Sequence, residues 1–217
     1  MLLLGSALGG CGGYQIKNLA KSDIDLVTDE FISETRWLVL ELMSKFYARN
    51  PDQLLRGSIN NLDDRLRQLR DTPGPLAFRE LAYVQEIAAL ELVFAEGFTG
   101  DRVFALIVGL GGMLRHAYGY NTESFLFDSL ESETLATSAR NIEILLWRLK
   151  NNRQSSGKLF LVSSEYRGQT DNLSFERLFG KLIALQDMMA RIAQDAGDRR
   201  VTKVVHTATS VFIPLPI

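Results

Sequence analysis

Two histidines, His116 and His206, and one cysteine, Cys11, are all the imidazole and thiol this chain offers. Neither histidine has a carboxylate three or four residues away, the spacing that sets two ligands on one helical face. With no E-x-x-H pair, no H-E-x-x-H and no Cys/His cluster, neither a di-iron bundle nor a zincin is expected, and neither a metal nor a cofactor. Phosphate-binding loops are missing as well: Gly180-Lys181 runs into Leu182, and Gly157-Lys158 lacks the earlier glycine. Ser155-x-x-Lys158 formally repeats a nucleophilic Ser/Lys pair, and Thr170-Asp171-Asn172 is a faint second element. That pair needs the start of a buried helix, whereas here it falls in a Gly-containing loop after a helix, with no K-T-G beyond it. His206, on a Val-rich stretch, reads as a core histidine.

The remaining polar residues form weaker constellations. Glu80, Glu86, Glu91 and Glu96 drift around a helix rather than sharing one side, so they read as a solvated face. Arg140-Asn141-x-Glu143, with Trp147 and Arg148, sits beside the apolar seam of its helix, where a polar side chain is costly unless hydrogen-bonded. One reading completes it with Arg115, His116, Tyr118 and Tyr120 into a binding pocket. The other makes it a structural network locking loop to helix. An acid–base role for Glu143 or Asp101 beside Arg140, giving a hydrolase, ranks third. Ile59, Leu62, Leu66 and Leu69 follow at spacings of 3, 4 and 3 on an otherwise charged helix. This narrow seam packs inside the domain or receives a partner helix.

The elements that would carry these residues are helical. Ser22 caps a first helix in which Ile24, Val27, Phe31, Leu38, Leu42 and Phe46 recur near the ~3.6-residue period, and Asn50-Pro51 ends it. The Ile59–Leu69 helix stops at Thr72-Pro73-Gly74-Pro75. A helix over Leu76–Glu96 closes at Gly97, and the apolar run Val103–Leu114 forms a core helix whose Gly109, Gly111 and Gly112 let a neighbour approach. Glu131–Asn151, Ser174 to about Ala196, and about Asp198–Phe212 complete the series, with Leu159–Phe160–Leu161–Val162 as a short extended segment. The expected fold is all-α: one domain over 22–217, a bundle of about seven helices with at most an extended piece near 159–163, behind a leader and tether at 1–21.

With 217 residues and 46% hydrophobic content, the chain is large enough for a core without disulfide staples. Its 24 basic and 26 acidic residues leave a net charge of −2, which argues against a nucleic-acid partner. The longest apolar run, Val103–Leu114, has 12 residues and three glycines, short of the roughly 20 a spanning helix needs.

Met1 to Gly10 is uncharged and apolar, then small, and leads into Cys11. Leu8-Gly9-Gly10-Cys11 resembles the lipobox of bacterial lipoproteins, whose cysteine is acylated and becomes the mature N-terminus. No Lys or Arg precedes the run, which suggests a start further upstream. Gly12, in place of the Asp that retains such proteins in the inner membrane, favours the outer membrane. Four further stretches carry a wider likeness: Lys45 to Pro51, Gly100 to Phe104, Ser138 to Glu143, and Asn172 to Asp187. In these the chain resembles a group of proteobacterial predicted lipoproteins without an established activity. The resemblance implies an envelope address, anchored through Cys11 and facing the periplasm, and no catalytic residues. The leading expectation is a non-enzymatic, lipid-anchored helical scaffold acting on an envelope partner. The alternative is a small-molecule or lipid-binding protein with a pocket under Val103–Leu114, where the glycines make room.

Overall fold

The computed structural model describes residues 23–123, 130–163, 166–167, 170–171, 173–196 and 214. Cys11, Ser22, Asn172, His206 and the helix expected over 198–212 lie outside them. The described residues fold as an all-α bundle of seven α-helices: α1 (Asp23–Arg49), α2 (Pro51–Leu54), α3 (Leu62–Asp71), α4 (Glu86–Val93), α5 (Arg102–Ala117), α6 (Ser132–Asn151) and α7 (Ser174–Ala196). A two-residue antiparallel pairing of β1 (Tyr166–Arg167) with β2 (Thr170–Asp171) decorates the α6–α7 connection. Among the described residues no helix is long and apolar enough to cross a membrane.

The core helix α5 is buried along nearly its whole length, as its unbroken apolar run requires, and α1, α4 and α6 pack around it. Phe104, Leu106, Ile107 and Leu110 are fully enclosed; each such side chain contributes about 1.5–3 kcal/mol relative to exposure. α7 lies against α6 and α1, where Phe175 and Phe179 meet Phe46 at ring-centroid distances of 4.7 and 6.3 Å. α5 also braces two neighbours through an arginine near each end. Arg102 donates to the carbonyls of Leu92, Val93, Ala95 and Phe98, closing the end of α4. Arg115 donates to those of Leu69, Thr72 and Gly74, closing the end of α3. Both use a cation to satisfy carbonyls that a helix terminus leaves orphaned.

α1 ends at Arg49, as Pro51 demands, but the chain restarts at once with that proline at the first position of α2. The Asn50 side chain then pins the extended segment: its Nδ2 donates to Val162 O at 3.0 Å and its Oδ1 accepts from Val162 N at 2.8 Å. Segment 159–163 bends at Phe160 and Leu161, makes one isolated bridge from Leu159 to Arg153, and is clamped through Val162 against the end of α1.

The helix expected over Leu76–Glu96 is not continuous. Only a 3-10 turn at Arg79–Leu81 and α4 itself are helical, and Ala82 and Tyr83 between them adopt left-handed φ of 51° and 60°. The turn lays α4 against α5 where two glycines admit it. A Cβ on Gly109 would stand 2.8 Å from the Glu86 carbonyl oxygen, and one on Gly112 would stand 3.4 Å from Glu86 Cγ. Close packing against α5 here overrides the local helical periodicity.

Candidate functional site

Four carboxylates read as one solvated face are instead each tied to different partners, because the chain turns between them. Glu80 takes a forked ion pair from Arg65, Glu86 meets His116 and Tyr120, Glu91 takes a forked pair from Arg148, and Glu96 accepts from the Ser155 hydroxyl. Ser155 thus has a structural partner in its loop.

Arg65 has the same helical phase as Leu62 and Leu69 and is 0% exposed. Its guanidinium lies 4.0 Å over the Phe104 ring, donates to Gln68 Oε1 at 2.9 Å, and approaches Asp101 Oδ2 at 3.7 Å. Asp101 in turn caps α5 by accepting from Phe104 N at 2.9 Å, and takes the Tyr47 hydroxyl at 2.7 Å. Burial raises the Asp101 carboxyl above its ordinary range, against the hydrogen bonds and the Arg65 charge that lower it. Burial also raises Glu80, but there the bonds from Arg65 and the Ser58 amide outweigh it and hold the carboxyl low. This network is buried at Arg65 and Asp101, opens toward solvent at Glu80, and joins α1, α3, the 3-10 turn and α5.

The residues grouped around Arg140 are dispersed. Arg140 pairs with Glu143 at 2.6 Å and with Asp187 of α7 at 2.9 Å, on a partly exposed face where such pairs contribute little. Asn141 is buried inside the bundle. His116 Nδ1 lies 3.1 Å from Glu86 Oε2, and its ring stacks on Tyr120 at 5.3 Å. Arg115 holds the end of α3. The expected single pocket is therefore not formed, and Asp101 pairs with Arg65 instead of Arg140. Asp187 borders an open groove of about 300 Å³ between α6 and α7. In the leucine seam, Leu69 is 3% exposed while Leu62 and Leu66 pack partly into the same core; Ile59 precedes the helix. The seam is used inside the domain.

What the fold does build is a cleft of about 90 Å³ between α1, the end of α3 and α5. Its apolar walls include Ile32, Val39, Leu69, Leu76 and Leu114. Gly111 lies in its wall, packed so closely that a Cβ would stand 3.2 Å from Leu76 Cδ1 and 3.5 Å from Val39 Cγ1. Three arginines, Arg36, Arg70 and Arg115, line it, and among the described residues no carboxylate does. Arg36 donates to Asn121 O at 3.2 Å, and among the described residues none of these arginines forms an ion pair. Burial, then the charge of Arg36, pulls Arg115 down to about 10.

Behind the cleft Tyr118 is anchored in a buried polar layer. Gln186 donates to the Tyr118 hydroxyl at 3.3 Å and to Thr35 Oγ1 at 3.5 Å, and accepts from Ser138 Oγ at 3.3 Å. Burial pushes the Tyr118 phenol up to about 12. At the end of α5, Gly119 N donates to His116 O and Tyr120 N to Arg115 O, a Schellman closure with Gly119 at φ 65°. Arg36 and Gln186 carry no local sequence signature. Arg65 had one: a charge in phase with the leucine seam faces inward.

Compared with known proteins, the chain matches no family model, no curated relative and no solved structure.

Proposed function

We propose that this chain is an envelope protein, tethered through acylated Cys11, that works by binding a small molecule in the cleft between α1, α3 and α5. The observation carrying the reading is the recess itself, whose apolar walls are bordered by arginines that, among the described residues, hold no carboxylate. A glycine inside a helix costs roughly 0.5–1 kcal/mol against alanine, and at Gly111 it lets Leu76 and Val39 pack closely on α5 and so shape the wall of the recess. The scaffold reading, the leading expectation from sequence, drew in part on the Ile59–Leu69 seam, whose Leu62, Leu66 and Leu69 pack on the core. The recess is smaller than a drug-sized pocket, so the ligand is compact, or inserts one end only.

The test uses the full chain carrying Cys11→Ser, which removes the site of acylation. Amide spectra are recorded with hexanol and with hexanoate as probes. Saturable shifts at Gly111 and Leu114, lost in Gly111→Leu while the melting transition stays cooperative, are the expected result. If neither probe moves the cleft amides, the binding reading is wrong.

A further inference from the structure

The ligand class can be read from the charges at the cleft, on the reading that the cleft is a binding site. Arg36 and Arg115 come from different helices, α1 and α5, and both line the same recess. Like charges brought together around a low-polarity space are unfavourable unless an anion shares them. Elsewhere in the described part of the fold Arg65 is answered by Glu80 and Asp101, Arg148 by Glu91 and Arg140 by Asp187, while Arg102, like Arg115, is held by backbone carbonyls. At the cleft none of the described lining residues is acidic. Arg115 spends most of its donors on three carbonyls, so it supplies fixed charge rather than a free fork. Arg36 makes one bond, to Asn121 O, and keeps donors for a ligand. Arg70, exposed on the last turn of α3, adds a third positive charge at the rim.

We propose that the cleft binds a compact organic carboxylate, with its apolar body over Gly111 and its carboxylate on Arg36. The two halves of this ligand answer the two halves of the site. An uncharged apolar molecule would leave the guanidinium charges unshared, and a bare inorganic anion would leave the walls of Ile32, Leu76 and Leu114 uncovered. A guanidinium presents two parallel N–H donors that match a planar carboxylate, and such charge-assisted bonds are about twice as strong as neutral ones. The space of about 90 Å³ accepts a short chain or a small ring. A long fatty acid could place only its carboxyl end there, with the remaining chain outside. Carboxylate chemistry is common to a free short-chain acid and to the end of a membrane-derived fatty acid, so both belong in the test.

The test is isothermal titration of the full Cys11→Ser chain with hexanoate, dodecanoate, hexanol and inorganic phosphate. Hexanoate is expected to bind at least tenfold more tightly than hexanol or phosphate. Arg36→Gln should weaken hexanoate roughly tenfold or more while leaving hexanol unchanged, as expected for losing a charge-assisted contact. Arg70→Gln should weaken it less and with stronger dependence on salt. Dodecanoate binding much more tightly than hexanoate, with the same dependence on Arg36, assigns the membrane-derived source; equal affinity assigns the free acid. Hexanol equal to hexanoate, together with no effect of Arg36→Gln, overturns the carboxylate assignment and leaves the small-molecule reading intact. Absence of heat and of cleft-amide shifts for every probe overturns both.

Discussion

Arg36 and Arg115 reach one recess from two different helices, near enough that the charge of Arg36 adds to burial in lowering Arg115 to about 10. Arg115 remains charged at neutral pH because its bonds to Leu69, Thr72 and Gly74 carbonyls replace the water it has lost. The residue that frames the cleft therefore also ends α3, and the two roles separate by substitution.

Arg115→Gln removes all three of these bonds and leaves the carbonyls underused. Urea unfolding should show a loss of about 2–4 kcal/mol, with Arg115→Lys recovering only part of it, because an ammonium cannot reproduce the planar fork. A variant as stable as the parent would mean that the α3 terminus is closed by other means.

Glu80 gives a pH dependence with a definite sign. Its carboxyl is held below the ordinary glutamate value of 4.5, so its pairing with Arg65 contributes stability above that pH and loses it as pH falls through the lower folded value. Asp101, raised by burial, acts oppositely: acid relieves its desolvation. Glu80→Gln should therefore be less stable than the parent at neutral pH, with the difference shrinking below pH 4.5 as the parent loses its pairing. Urea unfolding from pH 7 down to pH 3 reads it. A difference that stays constant over that range would contradict the role given to the Arg65–Glu80 pair.

The glycines divide by surroundings. At Gly109 a Cβ would meet Leu90 Cγ at 2.7 Å and the Glu86 carbonyl oxygen at 2.8 Å, while at Gly180 nothing lies within 4 Å. Gly109→Ala should cost about 1–3 kcal/mol by forcing α4 from α5, whereas Gly180→Ala should add about 0.5–1 kcal/mol through helix propensity. Thermal melts of the two variants give the comparison; equal effects would contradict the α4–α5 approach.

The helices themselves were legible wherever one side of a periodic pattern met a core. α1, α5, α6 and α7 follow their apolar spacing, and the glycines of α5 do mark close approach. The region 76–96 was not, because its local pattern is helical while Glu80 is held by Arg65 and Ser58, and α4 must reach α5. That reversal at Ala82 and Tyr83 also explains why the carboxylates of this segment find separate partners instead of one solvent face. The site was half legible. Gly111 and Arg115 stood out from composition and position, whereas Arg36 becomes a neighbour of Arg115 only when α1 packs on α5. His116 was likewise without a carboxylate in its own helix, and its partner Glu86 is 30 residues away.

The most direct test of the cleft as a carboxylate site is the side-chain Nε–H spectrum of the arginines, recorded as hexanoate is added to the full chain. The account predicts a saturable shift of the Arg36 resonance, in step with the Gly111 amide, and little change at Arg115, whose donors stay on the α3 carbonyls. An Arg36 resonance that stays fixed while the cleft amides move, or that drifts linearly with the other exposed arginines, would contradict it.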